Sequence, residues 1–464
     1  MTVGNSIIWF KNDLRLHDNE ALCKAIAFGS PILPVFIFDE RLYKTLDLGF
    51  RKADYNRFQF LKQSVDNLRD KLKIIGGDLL ILSGIPEDIL PKLVEENGIS
   101  TIYAEDEYAY EELQVIKKLR ANLDGKCELN LTWGKTLYHI DDIPYHIDKI
   151  PATSKAYRIN TAKQAEVRAP FLAPEAITVI ANFPKSNIPN AEIFEFELLS
   201  EIQPYVNGGE DKALERLHHY TFETQQITNY RWTRNRSLGL EYSSKFSPYL
   251  ALGCISPRLI YQKVKHYEEL VKKNQSTWWI IFELVWRDFF TFKGMNVGIA
   301  MFKTEGFKNK EREWENDAKK FNRWCQGRTG IPFVDAHMRH LNTTGFMSNR
   351  GRVNCSSFLV YDYKIDWTWG AGYFESKLID YDVSANWMNW HYQAFEIWYT
   401  NPVNQALKYK AKEFIQKYVE ELSHIDDNSI YIPWEYNVKN YPKPTDIHSK
   451  WQRAINKIKK SIEE

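Results

Sequence analysis

Cysteine is scarce and scattered. The five present (Cys23, Cys127, Cys254, Cys325, Cys355) are odd in number and never form a C-x-x-C pair. This argues against a disulfide framework or a zinc site and fits a reducing compartment. Charge of one sign is lacking too: 61 Lys and Arg against 60 Asp and Glu leave a net +1. No global field advertises a polyanion partner, so any nucleic-acid site has to be a local patch. Long apolar runs are missing. Residues 7–10 are too few for a signal peptide, and the greasy stretch 278–286 is interrupted by Glu283 and too short for a membrane span. No G-x-G-x-x-G or Walker loop follows the first apolar run, which removes the common dinucleotide and phosphate fingerprints. A cytoplasmic protein with no membrane partner and no metal site is the expectation.

Aromatics, by contrast, are abundant: 15 Trp, 26 Tyr and 26 Phe in 464 residues. Eleven of the tryptophans (Trp232, Trp278, Trp279, Trp286, Trp314, Trp324, Trp367, Trp369, Trp387, Trp390, Trp398) fall between 232 and 398. Core burial is the ordinary account of any one Trp, but a cluster this dense also suits a planar cofactor or stacking ligand. The length allows two or three domains. Residues 6–10, 31–38, 78–82, 101–104 and 129–132 read as buried strands, with helical periodicity over 54–74, 86–97 and 107–123. That alternation predicts an α/β domain with a doubly wound parallel sheet over 1–134. From 135 to 205, where seven of the 18 prolines gather, the pattern is that of an interdomain linker. Amphipathic stretches near 210–220, 256–272, 277–293, 331–344, 348–363, 367–380 and 384–395 predict an all-α domain over 206–422. Residues 423–464 read as a tail whose last, Lys-rich helix is a solvated or domain-capping element.

Four constellations could carry chemistry. At helical spacing, Trp279, Glu283, Trp286 and Arg287 share one face. An acid and a guanidinium on an aromatic stripe need partners if buried. They form either a satisfied Glu–Arg pair or the floor of a pocket in which Glu283 meets a base edge and Arg287 a phosphate or carbonyl. Asp382, Asn386 and Trp390 recur every four residues, although helix capping by Asp382 is a sufficient explanation. Asn349, Arg350, Arg352 and Asn354, with Arg328 and Arg339 nearby, carry charge suited to phosphate. Arg231, Arg234 and Arg236 add a basic run interleaved with Tyr230 and Trp232, a mixture that suits single-stranded or flipped nucleotides as well as a solvated face. Ser243, Ser244 and Ser247 precede Pro248 at a helix start, where hydroxyls and free N–H groups can bind a pyrophosphate or simply cap.

Segments 8–19 (IWFKNDLRLHDN), 242–258 (YSSKFSPYLALGCISPR), 282–289 (FELVWRDF), 324–338 (WCQGRTGIPFVDAHM), 344–352 (TGFMSNRGR) and 366–369 (DWTW) closely resemble the photolyase/cryptochrome family. The resemblance runs over about 5–422, in family order. It implies an α/β antenna domain, a long linker and a helical domain that holds FAD. Tyr230, Ser243, Ser244, Phe246 and Ser247 are then similar to the flavin-phosphate cradle. Arg352, Asp380, Asp382 and Asn386 match the isoalloxazine set, with Asn386 facing N5. Trp390, Trp367 and Trp314 match the electron-relay tryptophans. Glu283, Trp286, Arg287, Asn349, Arg350 and Arg234 match positions contacting a flipped cyclobutane pyrimidine dimer, which light-driven electron transfer would split. Asn349 and Val353 stand where (6-4) photolyases place histidines, which disfavours that lesion. Tyr392, in place of a second pocket Trp, points to the DASH branch and to single-stranded DNA. A monomer is expected.

Two departures stand out. Tyr392 reaches Asn401-Pro402 through eight residues, 393–400, including Phe395, Ile397 and Trp398, where DASH members carry a longer Gly-containing segment. Ala162 stands near the position of the folate-antenna glutamate, with Glu166 out of register, which counts against methenyltetrahydrofolate. The rival reading is a blue-light receptor signalling through flavin photoreduction; a nucleotide-binding enzyme built on the first domain alone ranks last.

Overall fold

A computed structural model describes residues 4–196, 203–396 and 399–463. Five strands, β1 (Asn5–Phe10), β2 (Ile32–Asp39), β3 (Leu80–Gly84), β4 (Ile99–Glu105) and β5 (Glu128–Thr132), form one parallel sheet in the order β3-β2-β1-β4-β5. Side chains alternate across a strand, so the inner strands β1 and β2 each feed two cores, whereas the edge strand β5, expected to be buried, is mostly half-exposed. Ile8, Phe10, Phe36 and Phe38 face the core shared with the helical domain, and Ile7, Trp9, Leu33, Val35 and Ile37 face the outer helices. This is why the runs lack a polar face: both sides of the sheet are covered. The helix Pro86–Asn97 has the bounds read from sequence, starting on its proline and ending at Gly98 in the left-handed region. The helix expected from 107 begins at Tyr110 instead, because Glu107 is turned inward to pair with Lys11 (2.7 Å) and Lys135 (3.2 Å).

The proline-rich stretch is held at both ends. The helix Ser154–Gln164 packs Tyr157 against Phe289 (5.8 Å between rings), and Val179 bridges Ile32 at the sheet. The all-α region contains the expected helices, with the longest at Gln275–Val297. The one expected over 348–363 changes to a π-helical turn after Ser357. Residues after 422 are part of the same core: Ile430, Trp451, Ile455 and Ile458 are buried among Phe358, Phe414 and Ile415, and Trp451 Nε1 donates to the Tyr399 hydroxyl (2.6 Å).

Buried charge locks the sheet domain to the helical one. Arg258 donates to both oxygens of Asp18 (2.7 and 2.9 Å), both residues being almost fully buried. Arg15 donates to the Gly253 carbonyl (2.9 Å), and Asp288 accepts the backbone N–H groups of Leu137 and Tyr138 (2.9 Å each). Gly253 must be glycine: its φ is +63° and a Cβ would fall 2.0 Å from the Asn12 carbonyl oxygen.

Candidate functional site

One cavity of about 360 Å³ opens in the helical domain. The segment 243–247 forms one wall. Arg216 holds it from behind, its guanidinium donating to the carbonyls of Ser244 (3.0 Å) and Ser243 (3.1 Å). Lys245, at φ +58°, is buried against Phe346 and Tyr205 and donates to Ser243 Oγ (2.8 Å). Burial, then the nearby guanidinium groups of Arg216 and Arg352, push its ammonium down to about 7. The helix that Ser247 opens is only five residues long, so hydroxyls and fixed cations, not a long helix dipole, make this wall attractive to phosphate. Neither Arg216 nor Lys245 stood out in the sequence.

Opposite, Arg352 donates to both oxygens of Asp380 (2.7 and 2.9 Å), and Ser247 Oγ donates to Asp380 Oδ2 (2.7 Å). Met347 O receives Arg352 Nε (2.9 Å), so the guanidinium is fixed from two sides. Asn386 donates from Nδ2 to the Ala371 carbonyl (3.0 Å), leaving its oxygen as the polar atom not used within the protein. Tyr230, Ser244, Phe246 and Trp390 also line the cavity. Trp390 lies directly over Gly370, where a Cβ would come within 2.3 Å of its ring.

The floor contains a group that sequence reasoning missed. Gln393 lines the cavity at 2% exposure, and neither amide atom has a hydrogen-bond partner. An unsatisfied buried amide costs about 1–3 kcal/mol, so a polar ligand fits here. Acceptor and donor amides, a fixed Arg–Asp pair, aromatic walls and a cationic hydroxyl-lined wall together match a ring system joined to a pyrophosphate.

At the rim, the helix Gln275–Val297 presents Glu283, Trp286 and Arg287. Trp279 Nε1 donates to Glu283 Oε1 (2.9 Å), and Arg234 pairs with the same oxygen. Oε2 is therefore the oxygen left for a ligand. Burial raises the Glu283 carboxyl above its usual range, with Arg234 and Trp279 pulling the other way. Asn349 is exposed at the rim. Five expected residues are arranged differently. Arg287 lines the cavity, but its guanidinium is taken by the Lys135 carbonyl and by Asp382 Oδ2 (3.0 Å). Asp382 is not among the lining residues; it pairs with Arg287 and caps its helix at Ala385 N (2.9 Å). Arg350 turns away to Asn235 (3.1 Å) and the Tyr409 ring, and Tyr392 packs on Phe290. Arg339, one of the candidate phosphate cations, is bound to Glu421 (2.6 and 3.0 Å). In the segment 393–400, Ile397 and Trp398 lie outside the described residues.

The three candidate relay tryptophans occupy separate environments. Trp390 meets Phe374 (5.0 Å) and Trp324 (6.2 Å), so it is not stacked on Trp367. Trp367 is fully buried against Trp387, His391 and Phe395, with Nε1 donating to Thr304 O (2.9 Å). Trp314 is half-buried beneath Arg312 (4.9 Å).

A second cavity of about 510 Å³ lies at the carboxyl ends of β1, β2 and β4. This is where ligands enter doubly wound sheets. Phe36, Phe38, Tyr43 and Phe58 line it, with Lys11, Arg57 and Glu107 as polar groups. Among the described residues, no helix is long and apolar enough to cross a membrane.

Residues 6–175 match the family described as DNA photolyase, and residues 279–462 match the FAD binding domain of DNA photolyase. The chain is 40% identical over 449 residues to cryptochrome DASH of Synechocystis sp., covering 92% of this chain and 90% of the relative. To cryptochrome DASH of Natronomonas pharaonis it is 38% identical, covering 97% and 100%. The crystal structure of the Synechocystis cryptochrome superposes with a TM-score of 0.91 at 37% identity over 99% of this chain and 100% of that one. The Sulfolobus tokodaii photolyase does so with a TM-score of 0.80 at 27% identity over 99% of each chain. Fold, cavity and relatives agree: the chain is an FAD-binding member of the photolyase/cryptochrome family, similar over most of its length to cryptochrome DASH proteins.

Proposed function

We propose that this chain repairs cyclobutane pyrimidine dimers by light-driven electron transfer, preferentially in single-stranded DNA, as a cytoplasmic monomer. The observation that carries the reading is a single cavity with two chemistries. Its inner walls suit a flavin, and its rim presents a raised carboxyl beside an indole. When bound, FAD supplies light absorption and the transfer of one electron. Ser243, Ser244, Ser247 and Lys245 would hold its phosphates, and Arg352, Asp380 and Asn386 its ring. Tyr230 and Phe246 would pack on it. Trp286 would stack on the flipped dimer; extrusion costs least at a damaged site, which helps selection. Glu283, kept more readily protonated by burial, would donate a hydrogen bond to a dimer carbonyl as charge develops there. Arg234 fixes that carboxyl, and Asn349 would meet the lesion from the other side of the rim. Arg350 and Tyr392 would need to reorient to touch it, whereas Arg287 and Asp382 are better placed as a brace beneath the cavity. Trp390, Trp367 and Trp314 would carry electrons inward from the surface.

The sheet cavity would take an aromatic antenna chromophore. Its aromatic walls and its place at the strand ends support this, and the Sulfolobus relative is described as holding two FAD molecules. The rival reading, a blue-light receptor, draws on the relatives' name of cryptochrome. The two part on one variant. Glu283→Ala should keep FAD and lose most of the dimers split per absorbed photon; an unchanged yield would remove Glu283 from the chemistry.

A further inference from the structure

The helix Tyr230–Thr233 turns Tyr230 into the cavity and Trp232 out to solvent. Trp232 is 72% exposed, and the neighbouring Trp278 is 43% exposed. Exposed indoles are uncommon, because Trp normally buries most of its large surface. These two belong to an ordered array. The Arg231 guanidinium lies 4.9 Å from the Trp232 ring and 5.3 Å from the Trp279 ring. Arg234 lies 4.9 Å from the same Trp279 ring, whose Nε1 donates to Glu283 inside the cavity. On the far side Trp278 packs on Trp279 (5.6 Å) and Phe282 (5.4 Å), with Arg158 over both Trp278 and Phe282. Trp232, Arg231, Trp279 and Arg234 thus form a ladder from open solvent to the cavity carboxyl.

Arg234 is paired with Glu283, but the other arginines around this array are not neutralised. Arg158, Arg231 and Arg236 form no salt bridge among the described residues, in a chain whose net charge is only +1. The arginines suit phosphates, while the indole faces suit unpaired bases.

We infer that Trp232, with Arg231 and Trp278, forms a stacking platform for unpaired nucleotides of a single-stranded polynucleotide beside the cavity. This rests on the lesion-binding reading of the same cavity and adds to it a contact with undamaged bases. Such a platform explains a preference for single strands in physical terms, since bases paired and stacked in a duplex offer no free face to Trp232.

The test uses the full-length, FAD-loaded protein and fluorescent oligonucleotides of about 15 nucleotides: single-stranded with one thymine dimer, single-stranded undamaged, and duplex undamaged. Trp232→Ala should weaken both single strands alike by about tenfold, the scale of losing one base–indole stack, with duplex affinity nearly unchanged. Trp232→Tyr, which keeps an aromatic face, should restore most of the loss. Arg231→Gln should instead reduce the slope of log affinity against log salt by about 0.7, one phosphate contact on a single strand. Trp232→Ala leaving single-strand affinity within about twofold would overturn the platform, as would an equal loss for the duplex. A change in sedimentation with unchanged oligonucleotide affinity would assign the patch to contact between copies and likewise overturn it. If the unmodified protein binds no single strand at all, the lesion-binding reading falls with it, so the two failures are distinguishable.

Discussion

The seam between the two domains and the cavity in the helical domain are both rich in charge, yet they use it differently. In the seam four charges are closely matched. Arg258 is matched to Asp18, Arg15 to a carbonyl, Glu210 to the backbone N–H groups of Leu16 and His17, and Lys135 to Glu105 (2.9 Å) and Glu107. In the cavity there is spare capacity: Gln393 has no partner, Lys245 is pushed toward neutrality, and Glu283 keeps one oxygen free. Buried charge that is fully matched holds domains in place; buried polarity left unmatched marks where a ligand belongs.

Breaking one member of each region should separate these uses. Asp18→Ala leaves Arg258 buried without its carboxylate and should cost about 3–5 kcal/mol in chemical unfolding. Asp380→Asn should cost much less stability but lose FAD on gel filtration, because Arg352 remains partly exposed at the cavity. Equal stability losses would erase the distinction. Gly370→Ala, which thrusts a methyl into the Trp390 ring, should cost about 1–3 kcal/mol as overpacking. It should also slow photoreduction of the flavin, and photoreduction at the normal rate would show that Trp390 need not hold this position.

The smallest effect concerns pH. Between about 7 and the ordinary lysine value of 10.5, the unfolded chain holds a proton on residue 245 that the ligand-free fold does not. The unfolded state binds more protons, so this group makes the ligand-free fold more stable as pH rises across that window. Phosphate placed beside Lys245 favours its charged form. FAD binding at pH 8 should therefore take up a fraction of a proton, seen by calorimetry in buffers of different ionisation enthalpy, and Lys245→Met should abolish the uptake. Uptake that persists in the variant would assign the proton elsewhere.

The α/β domain was largely legible because its inner strands are buried on both faces and stand out as apolar runs. The eight-residue helix Glu20–Ala27, capped by Asn19, escaped notice for its shortness. The Ser243–Ser247 wall and the Arg352–Asp380 pair rest on local runs and on the family resemblance. Gln393 could not be read, since a mid-helix glutamine looks solvated until the fold buries it. Asp382 illustrates the converse. Its spacing to Asn386 and Trp390 suggested a common face, but capping and the approach of Arg287 from another helix turn its carboxylate away. Trp232 was indistinguishable from ten neighbours in the Trp-rich stretch, because exposure is a property of the fold alone.

The most direct test of the account is light-dependent repair of a single-stranded oligonucleotide carrying one thymine dimer, using purified protein with reduced FAD and a dark control. Restored thymine in the light and none in the dark is the predicted result. Intact dimers after illumination of protein whose FAD is bound and photoreducible would contradict it and favour the photoreceptor.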